Sequence, residues 1–150
     1  MSETNSAASP LVATWRLRSH FQKTVETDQT AEPRGPHPGG LLTYTADGRF
    51  SIIAVPGDRR PPDQVLVTDD EAVRLFQGLT AYAGRYSIDG EHVTHHIEVS
   101  WNELWAKTDQ RRRFVVDGDT LTIIAGPGRN PRDGLIAIST LVWDRIRESA

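Results

Sequence analysis

Apolar and polar positions alternate with period two through most of the chain beyond residue 40, the pattern of strands buried on one face. Leu41 to Thr45 and Arg49 to Val55 flank Asp47-Gly48. Ala81 to Ile88 and Glu91 to Ser100 flank Asp89-Gly90. Asp109 to Val116 and Thr120 to Ala125 flank Asp117-Gly118. An Asp-Gly pair between two such runs predicts a tight hairpin, because both central residues of the favoured turn need positive φ. Leu11 to Phe21 and Ile136 to Ile146 add strands at the two ends. In the first of these, Trp15, Leu17 and Ser19 share one face, and Arg16, Arg18 and His20 share the other.

Between the strands, Thr68-Asp69-Asp70-Glu71 forms a capping box ahead of Ala72 to Phe76. One short helix is therefore expected near the barrel mouth, ended or weakened by Gly78. The Pro- and Gly-rich stretches 32–40, 56–63 and 126–134 read as loops. Residues 1–9 read as a disordered tail and 10–150 as one domain. About eight strands joined mostly by hairpins predict an all-β, antiparallel, up-and-down meander, enough to close into a barrel around one small ligand. An open sandwich is the alternative.

Alternation also assigns the interior. On the strand Val93-Thr94-His95-His96-Ile97-Glu98-Val99-Ser100, one face carries Val93, His95, Ile97 and Val99. A histidine thus sits in the middle of an apolar face, as either a satisfied core group or the polar point of a ligand pocket. Its neighbours by the same rule are Tyr82, Gly84, Tyr86 and Ile88 on one strand, and Gln110, Arg112, Phe114 and Val116 on another. Leu42 and Tyr44 pair with Phe50 and Ile52, while Leu141, Trp143 and Arg145 share the last inner face. The expected lining of Trp15, Tyr44, Tyr82, Tyr86, His95, Gln110, Arg112 and Trp143 mixes aromatic walls with a few polar groups, as small-molecule pockets do. Arg145 reads as packing at the barrel end.

Composition narrows the chemistry. The 150 residues are 37% hydrophobic and 25% charged, with a formal net charge of -3, so neither nucleic acid nor an anionic membrane is an expected partner. The Arg111-Arg112-Arg113 run lies on a strand and splits between two faces. Cysteine is absent, which removes disulfides, thiolate nucleophiles and Cys-ligated zinc. His95 and His96 point to opposite faces and cannot share an ion, and no inward carboxylate completes a set, so no metal is expected. Nor does any cofactor motif appear: Gly126-Pro127-Gly128 precedes no expected helix, and 35–40 lacks the Lys-Ser/Thr ending of a phosphate loop. Without a leader-like start or an apolar run of membrane length, the expected location is cytoplasmic, as monomer or homodimer.

Several segments in order resemble the bacterial lipocalin-like domain family: Leu11 to Leu17, Gly39 to Arg49, Ala81 to Tyr86, Val93 to His96, Gln110 to Phe114, Asp117 to Leu121 and Leu141 to Arg145. The resemblance spans about residues 11 to 146 and implies an eight-stranded calycin-type barrel with an internal cavity. Related barrels include carriers and cofactor-free enzymes, so the fold does not choose between them. Two departures stand out. Ala13 replaces a Gly before Thr-Trp, and Trp101 and Trp105, the latter followed by Ala106, bracket a segment where the family pattern has one Trp followed by Gly. The extra Trp would shape a lid or line a specialised pocket.

Two functions are therefore in view, beside a structural or oligomerising barrel with a filled core. One is a cofactor-free acid/base enzyme of cyclase, isomerase or lyase type acting on a small apolar or aromatic metabolite. His95 would transfer the proton, with Arg112 and Tyr44 or Tyr82 polarising an oxygen. The remaining lining, Trp15, Tyr86, Trp101, Trp105, Gln110, Phe114 and Trp143, would hold the ligand. The other is a non-catalytic carrier that uses the same residues as anchors.

Overall fold

Hydrogen bonding closes the meander into a ring. The computed structural model describes residues 9–130 and 133–147, so of the expected tail over 1–9 only Ser9 falls among them. The strands are β1 (Ala13–Thr24), β2 (Thr30–Ala31), β3 (Gly39–Tyr44), β4 (Arg49–Val55), β5 (Thr80–Asp89), β6 (His92–Ser100), β7 (Asp109–Asp117), β8 (Thr120–Arg129) and β9 (Ile136–Arg145). From β3 to β9 each strand pairs with the next, and β1 pairs with both β3 and β9. The result is a closed eight-stranded antiparallel barrel, with β2 standing outside the ring against Gln22 and Lys23 of β1. Among the described residues no helix is long and apolar enough to cross a membrane.

The hairpins fall where the Asp-Gly pairs placed them, but the turns differ in detail. Asp89 pairs with His92, and Asp117 pairs with Thr120. Each two-residue loop is therefore Gly90-Glu91 or Gly118-Asp119, with the aspartate closing the strand. Only the glycines take positive φ, +61° at both Gly90 and Gly118. A loop that needs positive φ only at its first residue needs glycine only there.

The helix α1 (Asp69–Gln77) carries its capping box: the Thr68 hydroxyl accepts from the Glu71 amide at 3.2 Å, and the Glu71 carboxylate accepts from the Thr68 amide at 2.9 Å. The Thr68 amide, together with the Asp63 amide that donates to the other carboxylate oxygen, holds the Glu71 carboxyl below its ordinary value. No residue of α1 is buried, so the helix lies over the barrel without entering its core. A 3-10 turn at Glu103–Trp105 follows β6.

Three irregularities break strict alternation. In β1 the register slips between Leu17 and Ser19. The extra residue, Arg18, turns the second half of the strand over, so His20 is buried and Phe21 is exposed. The expectation that His20 faces outward with Arg16 and Arg18 is corrected by this bulge. In β6 the pairing moves from Ala83↔Val99 to Gly84↔Ile97, leaving Glu98 extra. Val99, expected inside, is consequently 65% exposed. Gly84 makes this bulge possible, since a Cβ there would stand 2.0 Å from the His96 carbonyl oxygen. In β8 a third shift lies between Ala125 and Gly128. It accommodates Pro127, which has no amide to donate. The segment expected to be a loop from 126 onward thus continues the strand to Arg129.

Candidate functional site

The two ends of the barrel are built differently. At the closed end Trp15, Leu42, Val93, Leu121 and Trp143 have lost all exposure. Trp15 donates its indole N–H to the Leu11 carbonyl at 3.0 Å, and the Arg145 guanidinium lies 4.4 Å from the Trp15 ring centroid. Arg145 also pairs with Asp119 at 3.2 Å. It seals this end by packing, as expected. Trp15 and Trp143 therefore form a floor, away from the residues that line the cavity.

Above the floor lies an aromatic cluster around His95, which is 2% exposed. The His95 ring stacks on Phe50 with centroids 4.2 Å apart. Its Nε2 shares a 2.6 Å hydrogen bond with the Tyr44 hydroxyl. Tyr82 stands 6.2 Å away, centroid to centroid, and Tyr86 packs edge-on against Tyr44 while donating its hydroxyl to the Thr45 carbonyl at 2.7 Å. Burial, reinforced by the charges of Arg112 and His96, holds the His95 pKa down to about 3. Burial pushes the Tyr44 phenol well above its usual value. Both groups are neutral near pH 7. With Tyr44 donating, the ring proton of His95 stands on Nδ1; with the bond reversed, Nδ1 is an acceptor. In either case Nδ1 is buried and has no hydrogen-bond partner among the described residues.

Arg112 lies half-buried on the inner face of β7 with Gln110, Phe114 and Val116. That strand keeps the expected alternation. The charge of Arg112 bears on Tyr44, Tyr82 and His95 together, while its Nη1 donates to the Arg111 carbonyl. Gln110 donates to the Thr108 hydroxyl at 3.0 Å. Sequence reasoning thus brings Tyr44, Tyr82, Tyr86, His95 and Arg112 into one cluster.

The open end holds a cavity of about 1180 Å³. Phe76 and Leu75 of α1, Leu79, Trp101 and Trp105 supply apolar wall, and His20, Gln22, Arg34, Thr80 and Asn130 supply polar groups. Trp101 donates its indole N–H to the Phe76 carbonyl at 3.3 Å, fastening the helix end to the rim. Trp105 lies parallel to Tyr82 with ring centroids 6.5 Å apart, so a ring of the cavity wall meets a ring of the His95 cluster. Arg34 donates to His20 Nδ1 at 2.7 Å and to the Thr80 hydroxyl at 2.5 Å. Since a guanidinium can only donate, His20 Nδ1 is an acceptor and its ring proton belongs on Nε2. Asn130 donates to Gln22, and Gln22 to Ser139.

The family model for the lipocalin-like domain matches residues 12–146. The chain belongs to the lipocalin-like domain family. Two solved structures are similar to it. A lipocalin-like protein from Bacteroides uniformis is 13% identical, with 91% of this chain and 98% of that one covered and a TM-score of 0.47. An uncharacterized protein from Bacteroides eggerthii is 11% identical, with 91% and 99% covered and a TM-score of 0.45. No curated protein matches the chain.

In this lipocalin-like barrel the expected site residues divide. Trp101 and Trp105 line the open cavity; His95, Tyr44 and Arg112 do not. Sequence reasoning missed the polar half of the cavity. His20 and Gln22 come inside only through the Arg18 bulge, which no local residue pattern marks, and Arg34 and Asn130 come from segments read as loops. The one available signal was His20 beside an apolar strand face, on the opposite side by simple alternation. Among the described residues no group of three or more His, Asp or Glu side chains is arranged to hold a metal ion.

Proposed function

We propose that this lipocalin-like protein binds one small, largely apolar or aromatic molecule in the cavity at the barrel mouth. The observation that carries the reading is the mixed lining of that cavity: Phe76, Trp101 and Trp105 supply apolar wall, and the bonded series Thr80–Arg34–His20 supplies fixed polar groups. Apolar walls with a few fixed polar groups favour a ligand that stacks and is oriented by hydrogen bonds. Thermal unfolding with a panel of indolyl, naphthyl and long-chain compounds tests it. A ligand present at about 100 times its Kd adds roughly 2.7 kcal/mol, or about 5 °C or more for a chain of this size. Trp105→Ala should remove most of the shift. Failure of every compound to raise the midpoint of the wild-type protein would sink the proposal.

The enzyme reading, in which His95 moves a proton on a bound metabolite, draws on the unpartnered Nδ1 and on Arg112 nearby. A base with a pKa near 3 has low proton affinity, and His95 is buried and not among the residues that line the cavity. Binding without turnover is therefore the better-supported function. Turnover of a bound compound that disappears in His95→Ala and Arg112→Ala, with affinity retained, would reverse that ranking.

A further inference from the structure

The cavity is charged in a way the whole chain is not. The formal net charge of the protein is -3, yet four arginines (Arg34, Arg59, Arg60 and Arg74) line the cavity against one carboxylate, Asp58. Elsewhere most arginines have a carboxylate beside them, while Arg16, Arg112 and Arg129 have none within 4.0 Å among the described residues. Arg18 pairs with Asp144, Arg49 and Arg85 with Glu98, Arg111 with Asp89, Arg113 with Glu91, and Arg147 with Asp119. Arg59, Arg60 and Arg74 have no such carboxylate within 4.0 Å among the described residues. Four arginines against one carboxylate on the lining of a single opening concentrate positive potential there, even though Arg74 is partly offset by Glu71 on its own helix. A concave, low-dielectric wall sharpens that field.

We infer that the ligand of this cavity is an amphipathic anion: an aromatic or aliphatic body that stacks on Trp101, Trp105 and Phe76, carrying an oxyanion that meets Arg59, Arg60 and Arg74 at the rim. The inference rests on the binding reading above and adds the chemical class. Guanidinium groups suit this task because they stay charged and present paired N–H donors to two oxygens of one carboxylate, sulfonate or phosphate. Arg59 and Arg60 are exposed while Trp105 stands against Tyr82 of the barrel interior, which favours a ligand with its body inward and its charge outward.

Two fluorescent probes that share an anilinonaphthalene body test this. 8-Anilinonaphthalene-1-sulfonate carries the anion, and N-phenyl-1-naphthylamine lacks it. The sulfonate should bind about tenfold more tightly at low salt, as expected for one charge-assisted contact. The ratio of affinities should shrink towards one as salt is raised. It should also approach one in the Arg59→Gln, Arg60→Gln, Arg74→Gln triple variant. Trp105→Ala should weaken both probes. Equal affinities for the two probes in the wild type, or a preference for the sulfonate that survives the triple substitution, overturns the anion inference while leaving binding intact. Binding of neither probe overturns the binding reading and this inference with it.

Discussion

Tyr44 and His95 illustrate how much one buried polar pair decides. Their 2.6 Å bond joins β3 to β6 across the interior. Tyr44→Phe removes the hydroxyl and leaves a buried imidazole nitrogen without its partner, which should cost about 1–3 kcal/mol, read from the midpoint of urea unfolding. The pH dependence follows from the same ring. Its pKa is depressed from 6.5 to about 3 by folding, so the unfolded chain binds one more proton than the native one between those values. The contribution of the neutral ring is complete above about pH 6.5 and is lost as pH falls towards 3. Between pH 6.5 and 4.5, stability should drop with a slope approaching roughly 1.4 kcal/mol per pH unit for that one proton. His95→Gln should flatten this window, and the imidazole resonances of His95 should not titrate above pH 4. An ordinary titration near 6.5 would contradict the buried placement.

At the scale of elements, the bulges carry the site. Gly84 and Glu98 act together: the extra residue in β6 brings the His96 carbonyl to 2.0 Å from where a Gly84 Cβ would be. Gly84→Ala must push two backbones apart and should cost at least about 2 kcal/mol, measured by equilibrium unfolding. A change of under half that amount would mean that the bulge relaxes freely. These same irregularities mark the limit of reading the sequence. Hairpins, the capping box and the inner face of β7 are local, being written in residues two to four apart. A bulge is a property of the partner's register. Nothing about Arg18 itself announces that it will be skipped, so every face after it, including those of His20 and Gln22, comes out reversed. The His95 cluster precedes the Glu98 bulge in its strand and was legible for that reason. The polar half of the cavity follows the Arg18 bulge and was not.

For the whole molecule, closure between β1 and β9 sets both shape and stability. Arg145, near the end of β9, reaches the Trp15 ring of β1, the Asp119 carboxylate of the β7–β8 turn and the Pro10 carbonyl. It ties three parts of the floor at the seam of the barrel. Arg145→Ala should lower stability by about 1–2 kcal/mol and speed hydrogen exchange of the Trp15 indole N–H, while leaving probe affinity at the opposite end unaltered. Loss of probe binding in that variant would mean that the two ends are coupled. The distribution of tryptophan gives this architecture a practical consequence. Trp15 and Trp143 are sealed in the floor, and Trp101 and Trp105 line the opening. The native emission spectrum is therefore a sum of two channels. The blue-shifted channel is silent to soluble quenchers and reports whether the barrel is folded. The red-shifted, quenchable channel reports whether its mouth is filled, so one unlabelled sample carries both the signal and its internal reference.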